Sequence, residues 1–441
     1  MQDTGFSMNA LKRSMIFWFD SSTNLWPKNK GGSPMLSSSA LPLDGLKVLE
    51  LGHIVAGPAA GQILADMGAE VTKIESVNGG DQVRQMPGSM AAMFHLLNRN
   101  KRSVALNLKG EGAAIFLQMA KTADVIVDNF GYGAVDRLGI GYDVVSEINP
   151  GVIWLSIKGF LPGPSEEQPM LDELAQMAGG LAFMTGTEER PMRAGASVID
   201  IGAATYGIVA VLAALRQRDA GDGRGQRIVA GLYETSVYLV GQWMATAQYN
   251  DEHSVPLATM QQGTRMGFSV YQLFPTSDGN RVFVGIMSDA HWARFCAEFS
   301  PDDLCADARF TESAGRLAHR AEVNEAIGAL LIKYTQDEAI AKLKAAKLPF
   351  APIRRPDQLG SEEHLTASGQ LCETPLPNGR TAHLPKLPFR ASGFEMTIRN
   401  PAPVLGADTT AVLSSLGYSD NDIRKLCDRG AVAIPAHEEA S

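Results

Sequence analysis

The segment RAGASVIDIGAATYGIVAVLAALRQR sets one carboxylate, Asp200, between a turn of small residues and a long apolar run that would ordinarily carry neutral side chains. Taken from these residues alone, Asp200 is an N-cap, an acid that satisfies free amides at a helix start and favours the helix dipole. A second chemistry is suggested by GHIVAGPAAGQ, a glycine-bearing turn between an apolar strand and a helix, with Glu75 closing the next strand. That layout is shared by dinucleotide sites, in which the acid holds a ribose hydroxyl. The spacing disagrees: Gly52, Gly57 and Gly61 do not form GxGxxG, and Pro58 removes a backbone donor that would face a phosphate. The eight histidines show neither HExxH nor HxxxH, and no GxxxxGK[ST] loop is present. Cys296, Cys305, Cys372 and Cys427 include no CxxC pair. Neither a metal site, an ATP-phosphate loop nor a disulfide framework is expected, and the cysteine usage fits a reducing compartment.

The elements that must position such residues follow from composition and periodicity. The chain has 441 residues, 45% apolar and 20% charged, with a net charge of -9. This length suits two or three compact units, and the acidic balance disfavours general nucleic-acid binding. LKVLELG, AAGQILADMG and AEVTKIE form a strand, a helix and a strand, and the alternation returns in RSVALNL, EGAAIFLQMAKTA, DVIVDNF and GVIWLSI. This succession predicts an α/β fold with a parallel sheet covered by helices. A long helix is expected over 202–218, then a strand and one further long helix in RIVAGLYETSVYLVGQWMATAQYN. FSVYQLFPTSDGNRVFVGIM alternates as a hairpin around Asp278-Gly279, and a Pro-rich, loop-rich tail closes in two helical pieces. The apolar patch from Met15 to Phe19 is too short for a secretory core or a membrane span, so a cytoplasmic protein without a membrane partner is expected.

PLDGLKVLELGHIVAGPAAGQILADMGAEVTKIE, NRNKRSVALNLK, ADVIVDNFGYGAVDRLGIGY, GRGQRI, YQLFPTSDG and LGADTTAVLSSLGYS occur in an order that resembles the class III coenzyme A transferases, which are related to the α-methylacyl-CoA racemases. The resemblance runs from about Pro42 to the C-terminus. It implies a flexible N-terminal extension (1–41), a large Rossmann-like CoA-binding domain (42–235) and a linker helix region (236–265). A small α+β domain (266–360) and a C-terminal segment that returns to the large domain (361–441) complete the plan, in an interlocked homodimer. It implies no permanently bound cofactor, the CoA thioester being a substrate alongside a carboxylic acid acceptor. Asp200 takes the place of the family's nucleophilic aspartate. An acid with an ordinary pKa of ~3.9 is ionised at neutral pH and can attack a thioester without a partner base. The amides at Gly179-Gly180 and Gly195-Ala196 are candidates for oxyanion donors.

By the same resemblance, His53, Ile54, Leu106, Lys109, Asn129, Phe130 and Arg137 match CoA contacts of the formyl-CoA branch. Lys101 and Arg102, in the NKRS block, are further cations expected to reach phosphate, on their charge. Departures from that branch are Val55, where it has a glutamine, Ser76 in place of a basic residue, and the missing run of four glycines, for which Gly263 is the nearest substitute. In MLDELAQMAGG, Leu171 stands where the racemases carry a catalytic histidine, whereas Asp172 and Gln176 fit the transferases. Without that imidazole a two-base epimerisation lacks a partner. Arg190, Arg193 and Arg265 flank the proposed site and would suit a dicarboxylate. The competing readings are a racemase or isomerase using the same cleft, and a silent CoA binder in which Asp200 only caps a helix.

Overall fold

The protein is described by a computed structural model covering residues 41–87, 90–262, 267–376 and 378–435. The expected N-terminal extension, apart from Leu41, lies outside the described residues, as do Gly263 and Arg265. Six strands run parallel: β1 (Lys47–Leu51), β2 (Glu70–Glu75), β3 (Lys101–Leu106), β4 (Val125–Asp128), β5 (Ile153–Lys158) and β6 (Arg227–Gly231), in the order β3-β2-β1-β4-β5-β6. The order reverses direction between β1 and β4, the switch point where open α/β sheets leave a crevice at their C-terminal edge. β7 (Val270–Pro275), β8 (Arg281–Ile286) and β9 (Phe350–Pro352) form a separate antiparallel sheet, with Gly279 at a φ of 78° in the β7–β8 turn. The fold is α/β.

Helices cover both faces because the strands are buried on both and therefore read as nearly continuous apolar runs. The helices up to residue 250 are α1 (Ala56–Asp66), α2 (Met90–Leu97), α3 (Glu111–Ala120), α4 (Ala134–Arg137), α5 (Tyr142–Ile148), α6 (Asp172–Ala178), α7 (Leu181–Thr185), α8 (Val198–Ala220), α9 (Leu232–Leu239) and α10 (Gly241–Asn250). On one face, Ala60 and Leu64 of α1 and Ala203, Ile208 and Val211 of α8 pack against Val48, Val127 and Leu155. On the other, Ile115, Phe116 and Trp154 pack with Leu413, Ile423 and Leu426 from the C-terminal helices. A Cβ at Gly207 would lie 2.9 Å from Leu155 Cδ1, so glycine lets α8 settle on β5. By length and hydropathy (2.0) α8 could cross a membrane; here it is a core helix packed on α1 and the sheet.

Four expectations are corrected. The long helix starts at Val198 rather than 202, which puts Asp200 inside its first turn with Ser197 as N-cap residue. The single long helix expected after β6 breaks at Val240 into α9 and α10. The loop-rich tail contains a hairpin, β10 (Leu371–Pro375) with β11 (Thr381–Pro385), and ends in β12 (Val432–Ala433), antiparallel to β3; short, Pro-bounded strands leave little periodicity to read. Cys296 and Cys305 form a disulfide, because the helix Asp289–Phe299 and the next one, Asp302–Ala306, bring their Cα atoms within 5.8 Å, which a nine-residue spacing does not announce.

Charges enter the core where strand sequences break their apolar pattern. Lys73 Nζ donates to Glu50 Oε1 (2.8 Å) and to the Gly52 carbonyl (2.6 Å) and pairs with Asp81 (2.9 Å); Lys101 Nζ pairs with Glu50 Oε2 (2.6 Å). Glu50, Lys73 and Lys101 have no exposed side-chain surface. A Cβ at Gly61 would sit 1.9 Å from Glu50 Oε2, so α1 can close over the cluster only with glycine there. Burial pushes the Lys101 ammonium down to about 8, offset only in part by Glu50. For Lys73 burial opposes the charge too, but Glu50, Asp81 and Glu75 outweigh it and raise the pKa. Removing one member of such a cluster strands the others. Glu50→Leu is therefore expected to cost ~3–5 kcal/mol, seen as a lower urea midpoint at unchanged slope. Glu111→Ala, which breaks the exposed 2.9 Å pair with Arg429, should change stability by less than ~1 kcal/mol.

Candidate active site

The turn after β1 is held through its backbone. Asn129 accepts from the His53 N–H through Oδ1 (3.0 Å) and donates from Nδ2 to the His53 carbonyl (2.9 Å). Asp81 Oδ1 accepts from the Ile54 N–H (3.0 Å), and Lys73 holds the Gly52 carbonyl. Ile54 adopts a φ of 65°, a left-handed conformation that a β-branched residue avoids unless its surroundings impose it. The rings of His53 and Phe130 pack against each other in a tilted arrangement, 40° between planes, with centroids 5.4 Å apart. Burial lowers the His53 pKa, opposed by Asp81, so the ring is a neutral donor or acceptor near pH 7.

The turn after β4 is held in the same way. Buried Asp128 accepts from Trp154 Nε1 (2.7 Å), Ser156 Oγ (2.6 Å) and Lys158 Nζ, and Lys158 also donates to the Phe130 carbonyl (2.7 Å). These two turns bracket the switch point, so His53, Ile54, Asn129 and Phe130 come together there. Lys109, in the loop after β3, and Arg137, on α4, line a cleft of about 530 Å³ with Leu108, Gly110, Ala113, Ala134 and Leu138. Leu106 is a core residue at the end of β3, with only 1% of its surface exposed.

Two expected phosphate contacts are corrected. Lys101 is committed to Glu50, the Pro58 carbonyl and Asn98 inside the core. Arg102 is exposed, but it belongs to the first residues of β3, at the sheet edge away from the two turns. Glu75, the acid that suggested a ribose contact, is saturated by Arg84, Ser103 and the Asp81 amide.

Asp200 reaches the same C-terminal edge by a different route. α8 crosses back between parallel strands β5 and β6, so its first turn lies where the strands end, and α8 packs against α1, which starts just after the His53–Ile54 turn. Its cap comes from α6: Asp172 Oδ2 accepts from the N–H groups of Ile199 (2.8 Å) and Asp200 (3.0 Å). Gln176 donates to Asp172 Oδ1 (2.5 Å) and accepts from the Ala194 N–H (2.7 Å). The Asp200 carboxylate has no hydrogen-bond or ion-pair partner among the described residues, which overturns its reading as the N-cap. Burial first, then Asp172 and Glu173, pushes its pKa up to about 7, so the expectation of full ionisation at neutral pH is also corrected. Arg193 pairs with Glu173 (2.7 Å). Of the proposed oxyanion donors, the Gly179 N–H is occupied by the Ala175 carbonyl (2.8 Å).

Lys73, Asp81, Asp128 and Lys158 escaped the sequence reading although they set both turns. The signal for three of them was the one that drew attention to Asp200, a charge interrupting an apolar element, in EVTKIE, VIVD and IWLSIK.

Comparison with known proteins fits this geometry. An acyl-CoA transferase of Fusarium pseudograminearum is 32% identical, covering 92% of this chain and 91% of that protein. A formyl-CoA:oxalate CoA-transferase of Rhodopseudomonas palustris is 30% identical over 90% of this chain and 99% of its own. The crystal structure of a CaiB/BaiF family protein from Brucella suis superposes with a TM-score of 0.76 at 28% identity, covering 86% of this chain and all of that one. Residues 43–409 match the family described as CoA-transferase family III, and the chain belongs to that family.

Proposed function

We propose that the protein moves coenzyme A between carboxylic acids with Asp200 as a covalent nucleophile. The observation that carries this reading is a half-buried carboxylate whose backbone is anchored by Asp172 while its own oxygens bond to no group among the described residues. The Asp200 carboxylate attacks the acyl carbonyl, the C–S bond breaks, and CoA leaves as thiolate from a mixed anhydride. The thiolate then attacks the aspartyl carbonyl and releases the donor acid, leaving an aspartyl-CoA thioester. The acceptor carboxylate repeats both steps in reverse and Asp200 is regenerated. One thioester is consumed and one formed, so no ATP enters. A raised pKa suits this role, because the more basic carboxylate is the stronger nucleophile once ionised.

His53, Ile54, Asn129 and Phe130 at the switch point are proposed to receive the pantetheine arm, with Lys109 and Arg137 binding phosphate in their cleft. A homodimer is supported by exposed Tyr206, Val209, Tyr238 and Met244 and by α10, none of whose residues is fully buried although Trp243 packs beside Met184 and Val240.

Incubation with an acyl-CoA followed by hydroxylamine is expected to leave a hydroxamate on the Asp200 peptide, detected by mass spectrometry. Asp200→Asn should lose more than ~10³-fold in kcat. The folded-state pKa of Asp200 is raised above its unfolded value, so its contribution to stability is present at acid pH and lost as pH rises through about 7. The Asn variant should therefore melt no lower than the parent at pH 8, which separates lost chemistry from lost folding. With only the ionised form reactive, kcat/KM for the acyl-CoA should rise tenfold per pH unit below about 7 and level off above it. Asp172→Asn should move that midpoint to lower pH. Arg137→Ala and Lys109→Ala should each raise KM for acyl-CoA ~10-fold with kcat nearly unchanged.

A further inference from the structure

Among the described residues, those other than glycine that take a left-handed backbone are Ile54, Asn100, Asp251, Ser300 and Lys347. All but the first are accounted for locally. Asn100 is of a type whose short polar side chain tolerates that region. Asp251 and Ser300 end helices, and Lys347 follows the residue that caps the helix Gln336–Ala345. Ile54 fits neither case: it is β-branched, and it precedes a helix, α1, rather than ending one. Its φ of 65° is therefore imposed by tertiary contacts, and strain maintained in this way points to a use.

The contacts are specific. From 51 to 60, His53 and Ile54 alone are not buried. Asn129 takes both backbone polar groups of His53, and the Ile54 N–H donates to Asp81 Oδ1 at 3.0 Å. The same Asp81 oxygen accepts from the Val83 N–H (3.1 Å), while Oδ2 pairs with Lys73 (2.9 Å). Burial opposes the Asp81 charge, but Lys73 and the two amides outweigh it and hold the carboxyl below its ordinary value. Asp81 is only 3% exposed, so it acts through the backbone that it holds rather than by touching a ligand.

We infer that Asp81 is a positioning residue for coenzyme A: braced by Lys73, it holds the Ile54 amide and keeps the His53–Ile54 turn of the free enzyme in the conformation that receives the CoA thioester. This deepens, and rests on, the reading of that turn as part of the CoA site. Because the left-handed state is imposed before the ligand arrives, binding does not bear its cost. Without Asp81, Ile54 relaxes toward ordinary backbone regions, the competent turn becomes a minor state, and apparent affinity falls in proportion to its population.

Ile54→Ala and Ile54→Gly separate this effect from loss of side-chain contact, since both remove the branched side chain but only glycine enters the left-handed region freely. Binding of free coenzyme A is measured by calorimetry for both, with Asp81 kept and in combination with Asp81→Ala. With Asp81 kept, the two are expected to bind equally. Adding Asp81→Ala should weaken binding ~10-fold in the Ile54→Ala protein and much less in the Ile54→Gly protein, a coupling that a generally loosened core does not produce. Asp81→Ala by itself should raise KM for acyl-CoA ~10-fold, with the Asp200 hydroxamate still formed at saturating acyl-CoA. Should Asp81→Ala not fold, Asp81→Glu keeps an anion for Lys73 while its longer arm moves the oxygens off the Ile54 amide, and the same pattern is expected. Equal weakening of the Ile54 pair, no weakening of either, or loss of the hydroxamate at saturation in the Asp81 variant overturns the inference and leaves the transferase reading standing, since that reading is judged on the parent. A parent that neither binds coenzyme A nor yields the hydroxamate overturns the two together.

Discussion

The ammonium of Lys73 is the contact on which both core and site depend. A cation with no exposed surface must be compensated where it lies, and its partners are Glu50 from β1, the Gly52 carbonyl at the end of β1, and Asp81 from the loop after β2. Compensation of the charge thereby fixes the backbone beside it. Asp81, drawn in by Lys73, presents its other oxygen to the Ile54 amide, and Ile54 is held at a φ of 65°. A left-handed β-branched residue costs ~1–2 kcal/mol, offset here by hydrogen bonds to the turn on both sides.

Charged side chains hold the backbone at two further places on this edge of the sheet. Asp128 and Lys158 hold the Phe130 turn. Asp172 caps α8 and leaves Asp200 free of that duty. The distinction is chemical. An acid that caps its own helix is stabilised as an anion and becomes a poorer nucleophile, whereas an acid in a turn already capped by a neighbouring carboxylate is destabilised as an anion and becomes a better one. Placement of Asp172 on α6 separates the structural task from the reactive one.

Much of the fold was legible because it rests on local periodicity. Strand, helix and strand alternation announced the parallel sheet, and Asp278-Gly279 announced the β7–β8 hairpin. The C-terminal strand β12 and the Cys296–Cys305 bridge were hidden, since both depend on contacts between segments whose own sequences carry no signal for them. At the site, His53, Asn129, Phe130, Lys109 and Arg137 were singled out by resemblance and all lie at the C-terminal edge of the sheet. Lys101 and Arg102, chosen for charge alone, lie elsewhere, because a strand sends consecutive side chains to opposite faces and its first residues sit at the far edge.

By itself the sequence determined which residues are chemically able to act, since side-chain type and the order of elements are properties of the chain: an α/β sheet, an acid at the start of an apolar helix, cations near strand ends. Only the tertiary structure decided what each charge does. Lys73 and Lys101 became core ions, Glu75 became a saturated acceptor, and Asp200 was relieved of capping by a residue 28 positions earlier. The ionisation and partners of a charged group depend on burial and on neighbours brought in by the fold, and neither quantity is local in sequence.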